Sequence, residues 1–268
     1  MKTDRSVFAL ILMLNIMKKL LLRCDDFGSA TGANEAYMRL AETGLKFSAS
    51  IMICGPACSK KELELLVQSA PHIALGIHGV VNAEWDMTKW GPVGDLKRAR
   101  ESGLVDVQDN FHANPNLLKQ VPPEVIINEI RAQIQRGLDW GLPFSYLDEH
   151  MGFSWVHNQG ESLTALAKEF GLVYRPKIAR LESGKTENGL IANWKIGLHA
   201  MGEDPCLMVT HPVIDDTSTR LFYKAPAEPG LISRERQVEF DAMVSLEWRE
   251  TLAHENIELI TYRELPPE

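Results

Sequence analysis

The sequence predicts an α/β fold in a single domain, with a parallel sheet wound by right-handed crossovers into either a barrel or a doubly wound sheet. Three observations predict it. Short apolar, β-branched runs alternate with segments of helical period along the chain, which is the pattern of successive βαβ units. The length of 268 residues suits one (β/α) barrel, a fold that commonly runs to about 250. No repeat, low-complexity tract or Ser/Gly-rich linker marks a boundary.

The elements follow in order. The apolar run Val7 to Leu14 falls short of the roughly 18 residues a membrane span needs. No small-residue cleavage site follows it, so it does not read as a signal peptide. Met17 opens MKKLLLRCDDFG. Residues 1–16 are therefore expected to be either a poorly ordered extension or a product of start-site choice, and residues 17–268 the domain. KKLLLRC reads as the first strand, about 33–43 as a helix, LKFSASIMIC as a strand, about 60–69 as a helix and IALGIHGVV as a strand. The segment from Asn82 to Val121, with Trp85, Trp90 and Pro92, fits neither period. A loop this long in a compact domain is read as a lid or binding loop. PPEVIINEIRAQIQRGLDWG is the clearest helix, with Pro122 and Pro123 at its start, Gly141 as its stop, and Ile126, Ile130, Ile134 and Leu138 along one face. FSYLDEHM reads as a strand, about 160–170 as a helix, LVYRPKIARL and CLMVTHPV as extended, about 235–255 as one helix, and IELITYREL as the last strand.

Composition narrows the function. With 45% hydrophobic and 24% charged residues the chain can build a substantial core and reads as soluble and globular. A net charge of -8 without any extended basic run argues against nucleic acid, because phosphate neutralisation needs clustered Lys and Arg. Cys24, Cys54, Cys58 and Cys206 are too few and scattered for a disulfide framework, so reduced thiols in a cytoplasmic protein are expected. A thiolate zinc site would need close pairs, and only Cys54 and Cys58 are near one another.

Metal-capable side chains gather at the C-terminal ends of the expected strands: Asp25 and Asp26 after KKLLLRC, His78 in IALGIHGVV, His150 closing FSYLDEHM, His211 closing CLMVTH. That edge is where barrels and open α/β sheets build active sites. One carboxylate and two imidazoles make a facial set that leaves positions open on a divalent ion, as in hydrolytic sites. The second aspartate then becomes a usable general base, because the cation offsets the repulsion between neighbours. Adjacent strand residues point to opposite faces, so both reach one site only if the chain bends, and the turn at Phe27 and Gly28 is expected to supply the bend. Each feature also has a plainer reading. An Asp-Asp pair before glycine makes turns and caps, and a histidine in an apolar strand is often a satisfied core residue. His72, His112, His157, His199 and His254 lack the strand-end context and read as surface or loop residues. Asp148 and Glu149 read either as partners that orient His150 or as plain strand-end charges, with Asp148 also a substrate-binding candidate.

These motifs together resemble a known family. CDDFG before a helix, SASIMICGPA, GIHGVVNAEW with WGPV, IRAQIQRGLDWG leading to YLDEHMG, THPVIDD and IELITYREL are similar, in order and over nearly the whole chain, to the YdjC-like carbohydrate deacetylases. The resemblance implies a distorted (β/α) barrel of the polysaccharide deacetylase type and N-acetylated amino sugars or chitooligosaccharides as substrates. It implies Asp25 as general base, Asp26, His78 and His150 as ligands of one divalent ion, zinc or magnesium, and His211 as acid or transition-state stabiliser. The chain departs from the family pattern at GVVNAEW after His78, at Tyr146 where many relatives have histidine, and at Cys24 before the aspartates.

The expected reaction is metal-dependent hydrolysis of an N-acetyl group with release of acetate. Trp85 and Trp90 read either as stacking on sugar rings or as tryptophans buried under the loop, and Arg175 either as orienting a substrate hydroxyl or as pairing with a carboxylate. The expected partner is a small N-acetylated sugar, without nucleic acid or stable membrane insertion; a homodimer is compatible. The rivals are a metal-dependent phosphoesterase, which would favour extra Lys or Arg where the strand ends show few, and a sugar-binding protein without catalysis.

Overall fold

The computed structural model describes residues 17–265; the expected extension, residues 1–16, lies outside them. Among the described residues eight strands form one parallel sheet: β1 (Lys18–Phe27), β2 (Ser48–Ile51), β3 (Ala74–Gly79), β4 (Phe144–Glu149), β5 (Val173–Tyr174), β6 (Ala179–Arg180), β7 (Cys206–Thr210) and β8 (Ile257–Ile260). Their spatial order is β5-β4-β3-β2-β1-β7-β6, with β8 also on β1. Leu20 and Leu21 pair with both β7 and β8, and Arg23 and Cys24 with both β2 and β7. A strand has two edges, so β2 and β8 share one edge of β1, end to end, and β7 takes the other. The sheet curls into a barrel that stays open between the two-residue strands β5 and β6, which end the series. This is the distorted α/β barrel expected.

Helices α1 (Thr31–Glu42), α2 (Lys60–Ser69), α3 (Leu96–Ser102), α4 (Pro123–Asp139), α5 (Gly160–Glu169), α6 (Leu190–Ala200), α7 (Leu231–Val244) and α8 (Leu246–His254) surround the strands. Alternation along each strand separates two layers. Leu20, Leu22 and Cys24 join the large core beneath the helices, as do Leu75 and Ile77 of β3 and Met208 of β7. Leu21, Tyr146, Ile260 and Tyr262 form a small cluster inside the barrel. α4 is set as its sequence predicts: Pro123 stands in its first turn, and Ile126, Ile130 and Ile134 are buried. Each such burial stabilises by about 1.5–3 kcal/mol.

Four expectations change. The helix expected over about 235–255 is two, α7 and α8, divided at Ser245, whose Oγ accepts the Trp248 N–H and starts the second. LVYRPKIARL makes only β5 and β6, because Arg175 has φ 48 and Pro176 lacks the N–H a ladder needs. α3 lies inside the long segment 82–121, capped by Asp95 and stopped by Gly103. α6, whose sequence LIANWKIGLHA is apolar on most sides, was not expected.

That long segment is tied down. On α4, buried Glu129 accepts the Val93 and Gly94 N–H groups at 2.9 and 3.0 Å. Gln133 accepts from Val80 N and donates to Val80 O, at 2.9 and 2.7 Å. Trp90 Nε1 donates to Asn82 O at 2.7 Å. No helix among the described residues is long and apolar enough to cross a membrane.

Candidate active site

The alternation that buries Leu20, Leu22 and Cys24 under the helices aims Leu21, Arg23 and Asp25 into the barrel. Asp26 would face outward on a regular strand. It has φ 79, and the β1–β2 register shifts between Cys24 and Phe27, so a bulge brings the second carboxylate back to the interior. The bend lies at Asp26 itself, one residue before the turn the sequence suggested. A left-handed aspartate is held where its surroundings fix it: its carbonyl accepts from both the N–H and Oγ of Ser29, at 3.1 and 2.7 Å. His78 and Asp148 arrive by the same rule, paired in register across β3 and β4, and His150 follows directly after β4.

Three atoms converge. His78 Nε2 lies 3.5 Å and His150 Nδ1 3.2 Å from Asp26 Oδ1, and the two ring nitrogens are 3.2 Å apart. All three side chains are buried. Each imidazole uses its other nitrogen on a carboxylate: His78 Nδ1 donates to Asp148 Oδ1 and His150 Nε2 to Glu84 Oε2, both at 2.9 Å. In the neutral imidazoles, the form that binds a cation, the facing nitrogens present lone pairs, and Asp26 Oδ1 between them is then buried without a hydrogen-bond partner. An orphaned carboxylate oxygen beside two lone pairs is what a divalent cation satisfies, and carboxylate-held imidazoles are the usual support of metal ligands. These three residues could hold a metal ion.

Around this centre, charge is closely balanced. Burial would push the Asp25 carboxyl up, but the Arg23 guanidinium, bonding both oxygens at 2.7 Å, holds it below the usual carboxylate range. Arg23 also lies 3.1 Å from Asp148 Oδ2, which accepts from Ser50 Oγ at 3.1 Å. Asp26 is likewise held well down against its burial, first by Arg236, whose Nη1 meets Oδ2 at 2.8 Å. Burial disfavours charge on both imidazoles, yet Asp148 raises His78 well above its ordinary range, and Glu84 raises His150 to about 9. His211 goes the other way, lowered by burial and then by Arg236; its backbone N–H donates to Glu239 at 2.5 Å.

Asp25, Asp26, His78, His150, His211 and Asp148 all line one cavity of about 680 Å³. Asp148 orients His78, and not His150 as expected; Glu149 instead accepts from Tyr174 and Ser154 at 2.6 Å. Trp85 lines the cavity, its ring stacked on Phe222 at 5.7 Å with Arg236 against it. Trp90 is buried and packs edge-on behind His150 at 5.9 Å, away from the lining. Arg175 stands on the rim, 2.9 Å from Glu149. The expectation of few cations near the strand ends is corrected: Arg23 and Arg236 both enter the cavity, each engaged by carboxylates. Sequence reasoning missed Arg23, Arg236 and Glu84. Arg23 was within reach, since it lies two residues before Asp25 on one face. Glu84 sits in irregular chain, and Arg236 on a helix distant in sequence, where no spacing rule points to the site. Tyr146 joins the network through Ser50 Oγ at 2.9 Å and stacks on Tyr262 at 3.8 Å.

The sequence pattern of the family described as YdjC-like protein matches residues 19–195, which carry four of the five strand-end groups. The chain belongs to the YdjC-like protein family. This YdjC-like chain is 22% identical over 261 residues to a carbohydrate deacetylase of Brevibacillus brevis, covering 92% of the chain and 99% of that relative. A solved protein of Enterococcus faecalis V583, assigned to cellobiose-phosphate cleavage, superposes with TM-score 0.71 at 19% identity, over 92% of this chain and 98% of that one. A family 4 carbohydrate esterase of Streptomyces lividans, in complex with acetate, superposes with TM-score 0.52 at 12% identity, over 95% and 100%. At these identities the two solved structures establish the shared fold.

Proposed function

We propose that this YdjC-like protein is a metal-dependent deacetylase that hydrolyses the N-acetyl group of an amino sugar or oligosaccharide. The observation that carries the reading is the orphaned Asp26 Oδ1 facing the lone pairs of His78 and His150, with a second ionised carboxylate, Asp25, beside it in the same cavity. The deacetylase name of the Brevibacillus brevis relative supports the substrate class.

Asp26, His78 and His150 would hold the ion, zinc or magnesium. When bound, it polarises the acetamide carbonyl and makes a water acidic enough to attack near neutral pH. Asp25 is ionised and fixed by Arg23, so it accepts the water's proton as the new C–O bond forms. His211 is held neutral by burial and Arg236. The proton it gives to the departing amine is therefore one that it takes up during the reaction, and its neighbour Asp25 is the group that has just acquired one. The C–N bond breaks, and acetate and the free amino sugar leave. Trp85, in the cavity wall, is an aromatic side chain placed to meet a pyranose ring. The four free cysteines suit a reducing compartment such as the cytoplasm.

Acetate release from a panel of N-acetylated mono- and oligosaccharides, measured with zinc-loaded and magnesium-loaded protein, tests the proposal. Release from at least one sugar, lost on chelation and restored by the ion, is expected. No release from any sugar with the ion bound would favour a different hydrolytic substrate.

A further inference from the structure

We propose that Trp155 forms the platform of a second saccharide subsite adjoining the catalytic cavity, which takes the ring next to the one that loses its acetyl group. The proposal rests on the deacetylase reading for the chemistry of its ligand. The catalytic cavity is bordered by another of about 520 Å³, and the two share Gly152 and Arg175 as a common ridge. Trp155 lines this second space and is 47% exposed, although Phe153, Ser154 and Val156 around it are all buried. The buried neighbours lock the segment and hold the indole outward.

The backbone here is held in an uncommon form. Met151, His157 and Asn158 have φ of 55, 55 and 54, left-handed values that non-glycine residues adopt only where their surroundings fix them. His157 Nε2 donates to Val121 O at 2.9 Å and Gln159 N to Ser154 O at 2.8 Å. The Lys119 ammonium sits 5.0 Å from the Trp155 ring centre, and a cation held there orders the ring. Asn158 and Glu161 also face the second space. Arg175 is anchored by Glu149 at 2.9 Å and by Ser154 Oγ, yet its side chain is 57% exposed, leaving N–H donors for ligands on either side of the ridge. One isolated aromatic plane ringed by donors and acceptors suits a pyranose, with an apolar face and equatorial hydroxyls. It suits a protein partner poorly, since that would call for a continuous apolar patch.

Calorimetry on zinc-loaded protein carrying Asp25→Asn would measure binding of an N-acetylated monosaccharide and of its β-linked disaccharide, with and without Trp155→Ala or Trp155→Phe. The disaccharide should bind more tightly than the monosaccharide by about tenfold, which is roughly 1.4 kcal/mol. Trp155→Ala should erase that ratio and Trp155→Phe should keep most of it, with unchanged circular dichroism in both. A ratio near one in the parent, or one that Trp155→Ala leaves intact, overturns the subsite. Acetate assays on the unmutated enzyme separate the two readings. A Trp155-dependent ratio without acetate release overturns the hydrolytic reading and keeps the subsite; release without the ratio does the reverse.

Discussion

Arg23 and Asp25 meet on one face of one strand, with both carboxylate oxygens 2.7 Å from the guanidinium. Residues i and i+2 of a strand share a face, so the ordinary pleat supplies the proposed base with a fixed cation. Burial pushes Asp25 up and Arg23 overrides it. Arg23→Gln should let burial prevail, so that Asp25 ionises at higher pH and the acid limb of the kcat/KM profile moves upward. Arg23→Lys, which keeps the charge and loses the fork, should move it less. A pH–rate profile of each variant checks this; an acid limb that stays in place would separate Arg23 from the base.

Asp25→Asn keeps shape and removes the basic oxygen. Turnover should fall roughly a hundred- to ten-thousand-fold, while the ion content measured by elemental analysis stays at the parent value, because Asp26, His78 and His150 remain. Turnover at the parent level would show that another group takes the proton.

Asp148→Asn and Glu84→Gln each remove a carboxylate from behind an imidazole proposed to hold the ion, and should weaken ion binding by about 10- to 100-fold. The two should also differ in pH dependence. Glu84 raises His150 to about 9 against burial, so below that pH the ion must displace a proton, and affinity should fall as pH falls. Glu84→Gln lowers the imidazole's proton affinity and should flatten that slope. Competition against a calibrated chelator across pH gives both quantities.

Gly76 lies under Tyr146, and a Cβ there would overlap the ring. Gly76→Ala should destabilise by about 1–3 kcal/mol through overpacking, read as a lower urea midpoint with the same slope. Tyr146 shares a hydrogen-bond chain with Asp148 through Ser50, so ion affinity should drop alongside.

The strand ends were legible in the sequence because strands announce themselves by short apolar runs, and a barrel puts their C-terminal ends together. The bulge at Asp26 was half legible: two aspartates had to converge, but which residue bent depended on the pairing between β1 and β2. α6 escaped because LIANWKIGLHA has almost no polar face to set a period, and the division of α7 from α8 rests on one serine cap in an otherwise continuous pattern. Glu84 and Arg236 reach the centre from a loop and from a helix face, placements that only tertiary packing decides. Trp85 and Trp90 look alike in sequence and stand five residues apart, yet one lines the cavity and the other sits behind His150; chain direction within irregular structure separates them.

β1 is bonded to β7 on one side and to β2 and β8 on the other, and it carries Arg23, Asp25 and Asp26. Partial openings that peel away the short strands β5 and β6 leave it untouched. The amide protons of Leu20 to Cys24 should therefore exchange with deuterium only through global unfolding, among the slowest in the molecule, while those of residues 173–180 exchange through local fraying. Each excursion that loosens the mouth of the barrel leaves the paired carboxylates in register.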